Sequence, residues 1–262
     1  MPVIAIFNHK GGVGKTTTTL NLAAGIQRAG REALAIDLDA QASLTLSCGL
    51  KGIPSARSIN GFFQDSTPLS DLVTDTAIGL KVIPSHFELS KVDALHGSNK
   101  EITIKLTRGL QARREERPVP IRKDLEGTVL IDCCPALGVL SLNAVLAADR
   151  VLIPVAADPL SLDGVERLDV ALNALESRLG RRIERRIVLT RFDGRRRLSY
   201  EILERLQSRF GERLCRTRIV ENVSLAESPG KGLDIFTYAP GSTGARDYRM
   251  LTEELLACGF AA

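Results

Sequence analysis

Short runs of apolar residues are spaced along the chain and separated by stretches of mixed polarity. Six of these runs are continuous, rich in Val, Ile and Leu and short, as expected of strands that are covered on both faces. We predict strands at residues 3–7, 33–36, 80–83, 129–131, 151–155 and 187–190.

Between the runs, apolar residues recur every three or four positions, which is the period of a helix with one buried face. The first such stretch carries Leu22, Ile26 and Ala29 and is followed by Gly30, a residue type that favours helix ends. Two later stretches show the same period most clearly: Val165, Leu168, Leu172, Leu175 and Leu179, and then Tyr248, Leu251, Leu255 and Cys258.

This alternation predicts an α/β fold, with a doubly wound, mostly parallel sheet and helices on both of its faces. A single domain covering residues 1–262 is sufficient for a chain of this length. Residues 111–123 are charged and contain two prolines, so we expect a surface loop there. Ligands of such sheets bind beyond the carboxyl ends of the strands, and the residues that follow each run are therefore the candidates for chemistry.

Composition excludes several classes of protein. Hydrophobic residues make up 44% of the chain and charged residues 25%, which are ordinary values for a globular protein. Apolar runs stay well short of the ~18 residues that cross a membrane, and the N-terminus lacks the layout of a signal peptide, so we expect a cytoplasmic protein. The five cysteines form no CxxC pair, which disfavours a zinc or iron–sulfur site, and their odd number disfavours a disulfide framework.

The net charge of +4 is mild, but its distribution is uneven. Residues 181–197 carry eight arginines. Arg195, Arg196 and Arg197 follow the run at 187–190 and belong to its carboxyl edge, whereas the arginines at 181, 182, 185 and 186 precede the run and belong to the opposite edge of the sheet. The sequence therefore predicts two separate basic groups.

The segment after the first run, KGGVGKTT, is a candidate phosphate-binding loop. Its glycines allow backbone N–H groups to turn towards phosphate oxygens at the positive end of the following helix. Lys15 is placed to neutralise the β and γ phosphates of a nucleotide, and Thr16 to bind Mg²⁺. A strict P-loop pattern requires glycine where His9 stands, so this loop is a variant with an extra lysine, Lys10.

With this loop the chain resembles the ParA/MinD family of deviant Walker ATPases, whose loop reads K-G-G-x-G-K-[ST]. The resemblance implies that ATP or ADP and Mg²⁺ are the cofactors and that ATP hydrolysis is the activity. It also implies that Lys10 reaches the phosphates of a partner subunit in an ATP-bound homodimer, as an arginine finger would. The residues expected to bind the nucleotide are Lys10, Gly11, Gly12, Val13, Gly14, Lys15, Thr16 and Thr17.

Three carboxylates follow predicted strands and match the family's segments. IDLDAQAS resembles D-x-D-P-Q, which implies that Asp39 positions or activates the attacking water and that Asp37 supports the site or the metal. TVLIDCCPALG resembles the Walker B strand, which implies that Asp132 faces Mg²⁺. Two departures, Ala40 and Cys134, stand where the family has proline. For Ala40 we expect a slightly looser loop and unchanged chemistry, whereas Cys134 leaves the stiffness of its loop open.

The resemblance covers nearly the whole chain, is weakest between residues 52 and 123, and is closest to the ParA branch. We expect Arg195, Arg196 and Arg197, helped by Arg216 and Arg218, to bind DNA phosphates without reading sequence. Glu221 replaces a basic residue that some relatives use for DNA. The implied protein is nucleoid-associated and positions a plasmid, a chromosome, a carboxysome or a chemoreceptor cluster, with a cargo-linked partner stimulating hydrolysis.

Other functions within this family lack their sequence features. A cluster carrier needs paired cysteines, a membrane-bound relative needs a basic amphipathic tail, and a tyrosine kinase of this fold needs clustered tyrosines. The sequence opens on the first predicted strand without a helix-turn-helix before it, so we do not expect sequence-specific operator binding. One alternative from another class stays open, an ATP-switched scaffold whose arginines contact protein or acidic lipid.

Overall fold

The computed structural model describes residues 2–96, 100–115 and 127–262. Eight strands form one sheet in the spatial order β3-β4-β2-β5-β1-β6-β7-β8. The strands are β1 (Val3–Ile6), β2 (Ala33–Leu38), β3 (Thr74–Asp75), β4 (Lys81–Ile83), β5 (Thr128–Cys133), β6 (Arg150–Ala156), β7 (Glu184–Phe192) and β8 (Leu214–Val220). Neighbouring strands are parallel except β3 and β4, which confirms the predicted mostly parallel sheet.

Helices cover both faces of the sheet. They are α1 (Lys15–Arg28), α2 (Ser43–Ser47), α3 (Ile59–Asp65), α4 (Ser90–His96), α5 (Lys100–Thr103), α6 (Lys105–Glu115), α7 (Val139–Ala147), α8 (Pro159–Leu179), α9 (Arg197–Phe210), α10 (Val223–Glu227), α11 (Ile235–Tyr238) and α12 (Thr243–Ala257). The three helices predicted from apolar periodicity are α1, α8 and α12.

Successive residues of β1 supply the two hydrophobic cores. Val3 and Ala5 pack into the core beneath α3 and α6–α9, whereas Ile4 and Ile6 pack into the core beneath α1, α11 and α12. Both faces of the strand are buried, which is why its sequence reads as a continuous apolar run. The six predicted strands are present, and burial on both faces accounts for their pattern.

The sequence did not predict β3, β8 or the extent of α6. β3 has only two residues, and β8 is an edge strand whose apolar pattern is interrupted by the exposed Arg216 and the half-buried Arg218. Of the predicted loop at 111–123, the first five residues continue α6, and the rest lies outside the described residues.

The order of the strands reverses at β1, and this reversal determines where the site lies. The chain leaves β1 towards β2 on one side and later passes from β5 to β6 across β1. A crevice forms at such a reversal beyond the carboxyl ends of the strands. The loop between β1 and α1 opens into it.

Candidate functional site: a nucleotide loop at the carboxyl edge of the sheet

All eight residues predicted to bind nucleotide lie between the end of β1 and the first turn of α1. Gly12 and Gly14 have φ of +73° and +87°, a left-handed conformation that other residues adopt only with strain. α1 begins directly after Gly14, and the backbone N–H groups of its first turn have no partners within the helix. The loop and the helix end together form a site suited to phosphate.

Lys15 already lies at the mouth of this loop. Its ammonium donates a hydrogen bond to the carbonyl of Lys10 at 2.9 Å, and the residue is buried. Burial lowers the pKa of Lys15, and the carboxylate of Asp132 opposes this effect. An incoming phosphate would replace the weak carbonyl partner with a full negative charge.

Asp132 and Thr16 lie beside Lys15. The Thr16 hydroxyl donates to Asp132 at 2.7 Å, and the Thr19 hydroxyl donates to the other carboxylate oxygen at 3.3 Å. Asp132 is paired in register with Asp37 on the neighbouring strand. Burial, and next the charge of Asp37, raise the pKa of Asp132 to about 8. The strands thus hold two buried carboxyl groups side by side, and the charge of Lys15 opposes the rise in the pKa of Asp132.

This arrangement fits a magnesium ion that is shared with nucleotide phosphates. Thr16 and Asp132 supply hard oxygen donors, and the raised pKa of Asp132 shows that its ionised form lacks compensation, which a divalent cation would supply. Across the described ranges, no group of three His, Cys, Asp or Glu side chains could hold a metal ion unaided. Mg²⁺ needs only one or two protein ligands when phosphates and water complete its shell, and when bound it would neutralise phosphate charge.

Asp37 holds the loop that carries Asp39. One of its oxygens accepts the N–H of Asp39 at 3.2 Å, and the other accepts the N–H and the hydroxyl of Thr45 at 2.8 and 2.7 Å. The residue is fully buried, and burial raises its pKa to about 6. Its oxygens are therefore committed to the protein, and a role near the metal stays a prediction. Sequence reasoning missed Thr45, because a threonine eight residues from its partner carries no pattern.

Asp39 follows β2 at the rim of the site. Its carboxylate accepts the N–H of Gln41 at 2.9 Å, and its carbonyl accepts the N–H of Ala42 at 2.8 Å. This hydrogen-bonded turn is closed although Ala40 replaces proline. The negative charge of Asp39 acts on the pKa of both Lys15 and Asp132, which places it in the same electrostatic site.

All five cysteines are free thiols. Cys133 and Cys134 follow Asp132 and are both buried, which raises the pKa of Cys134 to about 11 and that of Cys133 well above its usual value. They are therefore protonated at neutral pH and unreactive as nucleophiles.

The side chain of Lys10 has its partners within the same chain. Its ammonium forms an ion pair with Asp158 and donates to the Ser161 hydroxyl at 3.3 Å. Both partners lie where β6 ends and α8 begins. The ammonium of Lys10 is thus anchored at the start of α8. The sequence analysis did not single out Asp158, although it follows a predicted strand in the same way as Asp39 and Asp132.

The three consecutive arginines form an exposed turn between β7 and α9, which we call the arginine turn (residues 193–197). The carboxylate of Asp193 binds the guanidinium of Arg195 at 2.9 Å and that of Arg196 at 3.1 Å. The hydrogen bond from Arg195 lowers the pKa of Asp193 to about 2. Arg197 pairs with Glu201 at 2.9 Å. Side chains 195, 196 and 197 stay 90%, 69% and 92% exposed, so their charges face solvent.

The structure brings only one of the two predicted helper arginines to this turn. Arg218 lies over the ring of Phe192, 4.9 Å from its centre, next to Asp193. Arg216 lies two residues earlier on the edge strand, roughly 7 Å along it, and lines a groove with Glu253 and Glu254. The acidic wall of this groove sets Arg216 apart from the arginine turn.

The second basic group lies at the opposite edge of the sheet, as predicted, and Arg181 and Arg185 have structural partners there. Arg181 donates to the carbonyls of Leu146 and Ala148 at the end of α7. Arg185 is buried and forms ion pairs with Asp169 and Glu176. These charges are satisfied within the subunit.

Comparisons with known proteins agree with this geometry. A family model described as an AAA domain matches residues 1–185. The chain is 37% identical over 255 residues to the chromosome-partitioning ATPase Soj of Thermus thermophilus, covering 97% of this chain and 95% of that protein. It is 32% identical over 259 residues to the sporulation initiation inhibitor protein Soj of Bacillus subtilis, covering 98% and 99%.

Solved structures share the fold over almost their full length. Cobyrinic acid a,c-diamide synthase of Mycobacterium smegmatis, with bound ADP and magnesium, is 26% identical with a TM-score of 0.79, covering 98% of this chain and 94% of that one. Apo McdA of Cyanothece is 22% identical with a TM-score of 0.83, covering 97% and 99%. In the described part of this chain, no helix is long and apolar enough to cross a membrane.

Proposed function

The chain belongs to the ParA/MinD family of ATPases, and from this membership we propose that it is an ATP-driven positioning protein that works on DNA. It is an ATP hydrolase, and its cofactors are ATP or ADP and Mg²⁺. In the proposed cycle ATP joins two copies, the pair binds DNA of any sequence, and a partner protein stimulates hydrolysis and releases the pair.

The observation that carries the DNA-binding proposal is the position of the arginine turn. β7 is linked to the nucleotide loop by a 2.8 Å hydrogen bond from Thr190 to the carbonyl of Val13, and the turn begins three residues later. The exposed guanidinium groups therefore lie at the same edge of the sheet as the nucleotide. Exposed arginines bind phosphate backbones without reading base sequence.

Exposed apolar side chains at this edge support pairing of two copies. Phe87, Leu137 and Val223 follow β4, β5 and β8 and are 68%, 78% and 73% exposed. Large apolar groups gathered at one edge favour a protein contact there. A second copy that covers this edge would bring Lys10 of each subunit to the nucleotide of the other and would place two arginine turns on one assembly.

The cargo and the stimulating partner are proposed from the relatives. Two of them, a Soj ATPase at 37% identity and a ParA protein of Caulobacter vibrioides at 32%, are named as chromosome-partitioning proteins, which favours a chromosome or plasmid as cargo and a place on the nucleoid. The stimulating protein would be the cargo-bound component of the system.

Binding to random-sequence DNA tests the proposal. We expect wild type to bind DNA with ATP but not with ADP. For each tenfold rise in salt concentration, the logarithm of the association constant should fall by about 0.9 per phosphate contact. Lys15→Gln and Arg195→Glu/Arg196→Glu should each abolish this binding. The matched control Arg31→Glu/Arg249→Glu reverses two exposed charges elsewhere and should retain it. If wild type fails to bind DNA in every nucleotide state, the proposal is wrong and the ATP-switched scaffold takes its place.

Glu221 is expected to weaken DNA binding. It pairs with Arg191 at 3.2 Å, and its charge also acts on Arg195. Glu221→Gln removes a negative charge beside the arginine turn, so the ATP-bound protein should bind random DNA several-fold more tightly at low salt, with a smaller gain at high salt. Glu253→Gln, on the exposed face of α12, is the control. Equal affinities of wild type and Glu221→Gln at low salt would place the DNA away from this turn.

A further inference from the structure

The carboxyl end of β7 contacts both the nucleotide loop and the arginine turn. The hydroxyl of Thr190 donates to the carbonyl of Val13, and both residues are buried. Val13 lies between two glycines of the nucleotide loop, so this bond fastens the loop to β7. Three residues further on, Asp193 holds Arg195 and Arg196. One short segment therefore joins the two sites.

The segment between these contacts is irregular. From Leu189 to Phe192 the strand advances three residues, while its neighbour advances two, from Arg218 to Val220. The extra residue is a β-bulge. Within it Arg191 has a φ of +51°, a left-handed conformation that a non-glycine residue adopts only with strain.

Contacts with β8 and with α9 fix the residues of the bulge. The exposed side chain of Arg191 pairs with Glu221, and the N–H of Glu221 donates to the carbonyl of Phe192. The ring of Phe192 packs edge-on against Tyr200 of α9. A strained residue between two fixed contacts is the point at which the segment can change its backbone conformation.

We propose that Thr190 is a positioning residue that couples the nucleotide loop to the arginine turn. Phosphate entering the loop moves the backbone at Val13, Thr190 follows through its hydrogen bond, and the bulge at Arg191 converts this movement into a new orientation of Asp193 and its arginines. The coupling between the nucleotide loop and the arginine turn would hold whatever ligand the turn binds. Only the identification of that ligand as DNA rests on the proposed function.

Two substitutions separate coupling from simple support of the fold. Thr190→Val keeps the β-branched shape but removes the donor, leaving the Val13 carbonyl without this partner. Thr190→Ser keeps the hydroxyl and should behave as wild type. If Thr190 only filled space, valine would be the better replacement and serine the worse.

Trypsin cleavage after the arginines at 195–197 reports the state of the turn without DNA. ATP affinity is first measured with a fluorescent ATP analogue, so that each variant is compared at saturating Mg·ATP. We expect ATP to change the cleavage rate several-fold in wild type and Thr190→Ser, and to have no effect in Thr190→Val. An unchanged ATP effect in Thr190→Val, or no ATP effect in wild type, would overturn the inference.

Arg191→Gly tests the same link away from the buried bond, in case Thr190→Val does not fold. Glycine adopts positive φ without strain, so the bulge loses its bias towards one conformation. Cleavage at 195–197 should then be equally rapid with and without ATP, and a wild-type ATP effect in this variant would overturn the role of the bulge. A wild type that shows the ATP effect but binds no DNA would contradict the proposed function and leave the coupling intact.

Discussion

Replacing Lys10 with alanine is expected to lower ATP hydrolysis by about 10³-fold while ATP binding stays close to wild type. A cation supplied to the developing charge of phosphoryl transfer contributes roughly 10³ to 10⁵ in rate. Binding should persist because Lys15 and the glycine N–H groups that face the phosphates belong to the same subunit and do not depend on Lys10. In the single subunit the Lys10 ammonium is instead paired with Asp158.

Phosphate release under single-turnover conditions, together with nucleotide affinity, checks this prediction. Lys51→Ala, at an exposed lysine, is the matched control and should hydrolyse ATP as wild type does. Lys15→Ala should differ from Lys10→Ala by losing ATP affinity as well. If Lys10→Ala hydrolyses ATP at the wild-type rate, Lys10 has no role in hydrolysis and serves only as the ion-pair partner of Asp158.

Asp132→Asn is expected to abolish magnesium-dependent hydrolysis and, without nucleotide, to stabilise the protein above neutral pH. The pKa of Asp132 is raised to about 8 by burial and by Asp37, well above the value of ~3.9 in an unfolded chain. The folded state therefore holds more protons, and its stability falls as pH rises between these two values. Asparagine cannot ionise, so the stability of the variant should decrease much less over this pH range.

Thermal unfolding of the nucleotide-free protein at pH 5 and pH 9 measures the effect. At pH 9 the melting temperature of Asp132→Asn should exceed that of wild type by roughly 2–4 °C for each kcal/mol by which ionised Asp132 destabilises the fold. The difference between the two melting temperatures should be smaller at pH 5. Mg·ATP should stabilise wild type more than the variant, which lacks one of the proposed magnesium ligands. Asp75→Asn, at an exposed aspartate, should follow wild type throughout. A wild-type curve that gains stability from pH 5 to pH 9 relative to Asp132→Asn would contradict the raised pKa.

The nucleotide loop could be predicted because its parts are adjacent in sequence. Residues 10–17 supply the glycines, the lysine and the helix end within one loop, so neither the fold nor a partner segment is needed to recognise them. Asp39 and Asp132 were predicted because their segments resemble those of the ParA/MinD family, and the parallel sheet explains why both lie at the same edge. Edge strand β8 was not predicted because the exposed Arg216 and the half-buried Arg218 interrupt its apolar pattern.

The contacts that position the site could not be predicted, because their partners meet only in the folded chain. Asp158 and Lys10 are 148 residues apart, and Thr190 and Val13 are 177 residues apart. A serine, threonine or aspartate of this kind looks like any surface residue in the sequence. The separation of Arg216 from Arg218 likewise depends on Glu253 and Glu254, which arrive from α12.

In the proposed cycle two copies complete each other's sites, and mixing two inactive variants tests this most directly. In a pair made of Lys10→Ala and Asp39→Ala subunits, the first subunit keeps its own Asp39 and would receive Lys10 from the second. Random pairing of equal amounts should restore about a quarter of wild-type hydrolysis, since half of the pairs are mixed and each has one complete site. If the mixture is as inactive as either variant alone while ATP-dependent pairing is intact, Lys10 acts within its own subunit and the account is wrong.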